Sequence, residues 1–266
     1  MINIMKECLP PVAARFLSHI LGRKTFKGNY ASWNAAMNES TGYDSDRIVN
    51  KVKESAMKVR DGDAVYERDS VLFDEIQYSW PLLAGILWIA SRSGNRLSLV
   101  DFGGALGSSY YQNRGFLAHL EYLRWSIVEQ EKFFRIGKEQ FQNEHVRFYK
   151  NLPDCISEEK PSLLLLCAVL QYLENPNRFL EEVLDMGFDY IILDRTSFIK
   201  GQRDLLCVQR VDESIYRASY PCWFFGNGRF LAHLNSRYQA VAGFECAENA
   251  NLKNTFFKGY IFRKRS

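Results

Sequence analysis

The nine residues Leu99-Val100-Asp101-Phe102-Gly103-Gly104-Ala105-Leu106-Gly107 constrain the fold of this chain more than any other stretch. A short apolar run ends in an acid, three glycines follow in the pattern G-G-x-x-G, and a helix-compatible segment begins at Ser108. A strand that turns so tightly into a helix belongs to an open α/β sheet. There glycine permits backbone angles and close approaches that a Cβ would block.

From residue 97 onward the sequence alternates apolar runs with amphipathic segments. Strands are predicted at Leu97–Phe102, Trp125–Glu129, Val146–Tyr149, Ser162–Ala168 and Tyr190–Asp194. The fourth is apolar on both faces, as a central parallel strand must be. Helices are predicted at Ser108–His119, Lys132–Gln142 and Asn177–Met186, and this alternation implies a parallel sheet with right-handed crossovers. Further on, Asp204–Tyr220 suits an extra hairpin, Asn227 precedes a helix through Tyr238, and Gln239–Cys246 and Thr255–Phe262 read as two strands. The expected fold class is α/β: a Rossmann-like, mostly parallel sheet of about seven strands closed by a terminal antiparallel hairpin. Residues 1–94 read as a helical N-terminal extension or cap and residues 95–266 as the sheet domain. In the extension, Asp44-Ser45-Asp46 suits the cap of a helix with Ile48, Val49, Val52, Ala56, Met57 and Val59 on one side. A second helix is predicted over Leu72–Ala90, with Pro81 either kinking it or marking its true first turn.

Composition narrows the class. The chain of 266 residues is 47% hydrophobic and 14% aromatic, enough for a continuous core. Its 34 basic and 31 acidic residues leave a net charge of +3, too even to argue for nucleic acid as a partner. The basic cluster Arg263-Lys264-Arg265 reads as a solvated tail. Six cysteines and four histidines are scattered, with no C-x-x-C pair at zinc spacing, so reduced thiols and no metal are expected. No apolar run reaches the ~18 residues that a membrane-spanning helix needs. A soluble, cytoplasmic protein with no transmembrane segment is the expectation, although Val12–Leu21 is amphipathic enough for a peripheral contact.

A sheet of this kind binds ligands outside the carboxyl ends of its strands. After the first strand stand Asp101, Gly103, Gly104 and Gly107. A turn built for phosphate gains nothing from a carboxylate beside its amides. An acid there suits a cationic, phosphate-free ligand, and S-adenosyl-L-methionine, with its ammonium and sulfonium, is one. Glu129, at the end of the second strand and 22 residues past Gly107, is placed to accept from ribose hydroxyls. After the third strand Phe148 and Tyr149 either wall an adenine or pack in the core. Cys167 and Ala168, after the fourth, are small enough for the amino-acid end of such a cofactor to pass. Asp194, after the fifth, is either a general base for a hydroxyl acceptor or a partner for Arg195. Tyr30, Trp33, Tyr78 and Trp80 are candidates to close over the cofactor, and Tyr216, Tyr220, Pro221, Trp223, Phe224 and Phe225 either pack in the core or floor an acceptor pocket.

Taken together, the glycine turn with Asp101, Glu129, the Leu163–Leu173 stretch and the terminal hairpin resemble the class I S-adenosylmethionine-dependent methyltransferases. Leu193-Asp194-Arg195-Thr196, Ala218-Ser219-Tyr220-Pro221-Cys222-Trp223, Phe257-Lys258-Gly259-Tyr260-Ile261 and Phe73–Pro81 narrow the likeness. They resemble a methyltransferase family whose genes often lie among bacterial surface-polysaccharide genes. The resemblance implies the cofactor and that genetic context but not the acceptor; a small-molecule or glycan acceptor is the expectation. The turn departs from the commoner G-x-G-x-G, and Tyr172 stands where many methyltransferases have histidine, which leaves the catalytic residue open. Two other readings stay beside it: a non-catalytic binding or scaffold protein on the same fold, and an NAD-dependent oxidoreductase.

Overall fold

The computed structural model describes residues 25–41, 45–211 and 218–265. The amphipathic stretch Val12–Leu21, the helix-cap residue Asp44 and the aromatic Tyr216 lie outside them.

Seven strands form the central sheet. In chain order they are β4 (Arg96–Phe102), β5 (Tyr122–Val128), β6 (Val146–Tyr149), β7 (Leu163–Cys167), β8 (Tyr190–Ile199), β11 (Tyr238–Glu245) and β12 (Thr255–Lys264). Their spatial order is β6-β5-β4-β7-β8-β12-β11. The pairs β6–β5, β5–β4, β4–β7 and β7–β8 are parallel, and β12 runs antiparallel to both β8 and β11. The expected Rossmann-like sheet with its terminal antiparallel pair is therefore the observed one. Leu163, Leu164, Leu165 and Leu166 on β7 are all fully buried, which explains why this strand reads as an unbroken apolar run. Each such side chain contributes roughly 1.5–3 kcal/mol by leaving water.

Helices α4 (Ser108–Leu117), α5 (Glu131–Gln140), α6 (Leu152–Glu159) and α7 (Pro176–Met186) make or cap the crossovers. Asn151, whose side chain accepts from the Asp154 amide, starts α6, a helix too short to stand out in the sequence. Strand order reverses between β4 and β7, so the crevice for a ligand opens at the carboxyl ends of those two strands.

The sheet carries an extension that the sequence showed only in part. Strand β8 runs ten residues, five past the point where β7 ends. Its outer part pairs in parallel with β10 (Ser219–Gly226), through Phe198 and Ile199. Strand β10 pairs antiparallel with β9 (Leu205–Arg210), and β9 with β1 (Thr25–Lys27). The anticipated hairpin exists, but it forms a lobe beyond the strand ends, and Asp194 lies mid-strand rather than at a terminus.

The N-terminal part is not wholly helical. Besides α1 (Trp33–Asn38), α2 (Ser45–Asp61) and α3 (Trp80–Arg92), it contains β1 and a separate hairpin of β2 (Tyr66–Arg68) and β3 (Val71–Phe73). Helix α2 buries Ile48, Val49, Val52, Ala56 and Val59 as the periodicity required, and Met57 of the same face is half-buried. The helix predicted from Leu72 begins only at Trp80, because Pro81 occupies its first turn, where a missing N–H costs nothing. Among the described residues no helix is long and apolar enough to cross a membrane.

Candidate functional site

At the crevice between β4 and β7 the chain turns through Gly103 and Gly104. Gly103 has φ +74°, and a Cβ there would stand 2.5 Å from Cγ2 of Val169, on the loop after β7. A Cβ at position 104 would stand 2.6 Å from the carboxyl carbon of Asp101. Both glycines are thus required by close contact, one across the crevice and one against the acid beneath the turn. Gly107, with φ +96°, is the residue from which α4 starts.

Asp101 is completely buried. Its Oδ2 accepts from the Trp125 indole N–H at 3.1 Å, while Oδ1 has no hydrogen-bond partner. Burial pushes its carboxyl up to about 7, although the Trp125 N–H favours the ion, and the neighbouring Glu129 raises it further. Glu129 lies just past β5. Its Oε1 accepts from the Ala105 amide at 3.0 Å and its Oε2 from the Gln130 amide at 2.8 Å. Burial raises its pKa against those two amides. The structure therefore brings Asp101, Gly103, Gly104, Gly107 and Glu129 together at one turn.

The hairpin β2–β3 packs over the start of α4, and its residues Glu67, Asp69 and Ser70 were not singled out in the sequence. The Glu67 carboxylate accepts from the Ser108 hydroxyl, on the first residue of α4, and from the Ser70 amide at 3.2 Å. Ser70 in turn is held by Ser55 of α2, whose hydroxyl donates to its carbonyl at 3.0 Å. At the hairpin tip Asp69 lies 4.0 Å from the Arg195 guanidinium, which also stands 3.8 Å from Glu248. Alternation of Tyr66, Val71 and Phe73 around the turn residues Asp69-Ser70 was the sequence signal for this hairpin, obscured by the polar run between them.

Cys167 and Ala168 follow β7 as expected. Ala168 takes φ +52°, and its amide donates to the Asp194 carbonyl at 2.9 Å. The Cys167 thiol lies 3.5 Å from Asp194 Oδ2 and the Cys246 thiol 3.6 Å from Oδ1. Burial raises the Cys167 pKa to about 12, so it is a neutral donor. Asp194 is only 2% exposed and both its oxygens are engaged by thiols. Of the two roles weighed for Asp194, this arrangement favours the structural one, since the Arg195 charge acts on it as well.

Of the two roles weighed for Phe148, the structure favours core packing. It is 4% exposed and sits against Gly137 of α5, where a Cβ would fall 2.2 Å from its ring. It fills the space that a missing side chain leaves beneath the helix, so it belongs to the core and not to a nucleoside wall. Tyr149 points to the other face, donating its hydroxyl to Glu159 at 2.8 Å.

The remaining aromatics divide. Tyr172, on the 3₁₀ turn after β7, donates its hydroxyl to Gln209 at 2.8 Å, and the Gln209 amide reaches the Tyr220 hydroxyl at 3.4 Å. Burial raises the Tyr172 phenol well above its ordinary value, so it acts as a donor and not as a base. The Trp223 indole donates to the Leu173 carbonyl at 3.2 Å, which leaves the half-buried Tyr172, Tyr220 and Trp223 on the lobe beside the crevice. Phe224 and Phe225 are buried core. Trp33 stacks on Trp223, and the Tyr30 amide donates to Leu206, so both belong to the lobe. Tyr78 and Trp80 cluster instead with Phe116, near the far end of α4. Eight residues of helix, ~12 Å, separate Phe116 from Ser108, so this pair does not cover the turn. Among the described residues no group of three or more His, Cys, Asp or Glu is arranged to hold a metal ion.

No family model matches the chain, and no curated protein matches it in sequence. Among solved structures it is similar to the N-terminal domain of EvdMO1, crystallised in the presence of SAH and D-fucose. That likeness has 14% identity over 83% of this chain and 97% of that one, with a TM-score of 0.49. An S-adenosylmethionine-dependent methyltransferase from Clostridium acetobutylicum is 11% identical over 82% of this chain and 99% of its own, with a TM-score of 0.47. The 1,6-didemethyltoxoflavin-N1-methyltransferase of Burkholderia thailandensis, with bound 1,6-didemethyltoxoflavin and S-adenosylhomocysteine, is 12% identical over 90% of this chain and 93% of its own, with a TM-score of 0.44.

Proposed function

We propose that this chain binds S-adenosylmethionine at the crevice between β4 and β7. It would act as a methyltransferase on an oxygen of a saccharide or other small polar acceptor, in bacterial surface-polysaccharide synthesis. One observation carries the cofactor assignment: a fully buried Asp101 whose Oδ1 has no partner, pressed against a glycine turn. A buried carboxylate oxygen without a hydrogen-bond partner is costly, and a cationic donor on the ligand removes that cost. The turn also fits a phosphate-free ligand, since its Ala105 amide is already taken by Glu129. A pyrophosphate would meet two acids there and one amide fewer, which argues against the nicotinamide reading.

When bound, the cofactor supplies an activated methyl group. Asp101 and the glycine turn would hold its amino-acid end, Glu129 its ribose, and Cys167 and Ala168 would line the passage between them. What remains for the protein is orientation and exclusion of water, which can supply ~7–11 kcal/mol. The lobe would present the acceptor, with Tyr172, Gln209 and Tyr220 as hydrogen-bonding groups suited to hydroxyls. The saccharide acceptor and its polysaccharide setting rest on the family resemblance and on these polar aromatics. The test is transfer of a labelled methyl from S-adenosylmethionine to a panel of saccharides and nucleotide sugars. Incorporation into one of them supports the reading. Cofactor binding with no incorporation into any of them supports a non-catalytic protein instead.

A further inference from the structure

We infer that Arg195 is a specificity residue of the acceptor site, and that the acceptor it selects is an uncharged saccharide bound through its hydroxyl or ring oxygens. The inference rests on the cofactor reading above and narrows the acceptor that goes with it.

Strand β12 pairs Lys258 with Thr196 and Tyr260 with Leu193, so Gly259 alone faces two residues of β8, Asp194 and Arg195. That is a β-bulge, a device that re-aims a side chain. Arg195 there takes φ +50°, a left-handed angle that a bulky residue rarely adopts. Two bonds hold the bulge. The Ala168 amide donates to the Asp194 carbonyl at 2.9 Å, and the buried Gln171 side chain donates to the Arg195 carbonyl at 3.0 Å. The side chain so directed lies against the end of β7, where Nη2 donates to the Cys167 sulfur at 3.4 Å. Its charge acts on Asp101 beneath the glycine turn and on Tyr172 beside the lobe, which puts it between the cofactor crevice and the acceptor side. Asp69 and Glu248 stand 4.0 and 3.8 Å away, near enough to balance the charge and too far to hydrogen-bond.

A guanidinium carries five N–H donors in a fixed fork. Among the described residues the acceptor within bonding distance of it is a neutral sulfur, and the side chain stays 19% exposed. Donors therefore remain for a ligand. The same neighbours decide the charge of that ligand. An anion would meet Asp69, Glu248 and the enclosed Asp194, whereas an uncharged oxygen takes the hydrogen bonds without that repulsion.

The experiment saturates the full chain with S-adenosylhomocysteine and titrates it by NMR with matched saccharides: methyl glucoside against methyl glucuronide, and methyl galactoside against methyl galacturonide. Each pair differs only in a hydroxymethyl group against a carboxylate. The unaltered protein should bind the neutral member of at least one pair about tenfold more tightly than its acid, a readout that needs no variant to fold. Arg195→Lys keeps the positive charge among the carboxylates and loses the planar fork. It should weaken that neutral saccharide about tenfold and leave S-adenosylhomocysteine within about twofold. A residue that only balances charge would show no loss as lysine. Equal or tighter binding of the acids overturns the inference, as does an unchanged saccharide affinity in Arg195→Lys. A loss shared equally with S-adenosylhomocysteine assigns Arg195 to the cofactor and overturns it too. If S-adenosylhomocysteine binds and no saccharide does, the cofactor reading stands and this inference fails. If S-adenosylhomocysteine itself does not bind, the cofactor reading has failed and this inference goes with it.

Discussion

The Glu129 carboxylate accepts a hydrogen bond from the Ala105 amide at 3.0 Å, which ties the end of the second parallel strand to the middle of the glycine turn. One residue thereby serves two purposes. It fixes the turn's shape, and it withdraws from the turn an amide that a phosphate would need.

Glu129→Gln should therefore show a double effect. Its amide can accept from only one of the two backbone N–H groups now satisfied, and a lost charge-assisted bond costs ~1.5–3 kcal/mol. Thermal unfolding should shift down and affinity for S-adenosylhomocysteine should fall about tenfold. Calorimetry and a melting curve on the same variant check both, and an unchanged affinity would remove Glu129 from the site.

Gly103 leaves no room for a side chain, with φ +74° and Val169 2.5 Å from where a Cβ would be. Replacement by leucine should abolish cofactor binding, and the backbone strain alone should cost ~1–2 kcal/mol. Binding at the unaltered affinity in a folded Gly103→Leu protein would place the cofactor elsewhere.

Asp101 makes a pH signature. Burial holds its folded pKa near 7, above the ordinary 3.8. Between those values the unfolded chain releases this proton and the folded chain keeps it, so rising pH favours unfolding. The stability that the protonated group contributes is complete below about pH 4, declines toward pH 7 and is flat above, with a slope of at most ~1.4 kcal/mol per unit. Asp101→Asn lacks this dependence, so its melting temperature relative to the unaltered protein should rise from pH 5 to 7. A cation prefers the ionised acid, so S-adenosylhomocysteine affinity should increase up to about pH 7 and the Asn variant should flatten that rise. Parallel melting curves for the two proteins across this range would contradict the buried-acid account.

The pair Phe148 and Gly137 yields a test of what is core. Alanine at an exposed helical glycine usually gains up to ~1 kcal/mol, but here the new Cβ would fall 2.2 Å from the Phe148 ring. Gly137→Ala should destabilise by ~1–3 kcal/mol. Phe148→Leu should lower the melting temperature while leaving S-adenosylhomocysteine affinity within about twofold. A large loss of affinity without a loss of stability would return Phe148 to the cofactor.

The central strands were legible because parallel strands covered on both faces must be apolar throughout, as Leu163–Leu166 are. The glycine turn, Asp101 and Glu129 were legible because a strand-end acid beside such a bend has a chemical meaning. Asp194 was placed at a strand end because Arg195, Thr196 and Ser197 look like the polar end of a strand. In the fold they continue β8 past β7, toward β10 and against β12. Glu67 was invisible for a similar reason. Glu67-Arg68-Asp69 reads as solvated surface, and only the packing of the hairpin over Ser108 buries its first member. Phe148 could not be assigned either way, because a strand-end aromatic looks the same whether it meets an adenine or the gap left by a helical glycine.

The central claim is that a buried acid under a glycine turn selects a cationic, phosphate-free adenosine compound. The most direct measurement titrates the full chain with S-adenosylhomocysteine and, separately, with NADH. The account predicts saturable binding of the first at one site per chain, abolished in Gly103→Leu, and no binding of the second. Binding of NADH that the same substitution abolishes, with S-adenosylhomocysteine failing to bind, would contradict it.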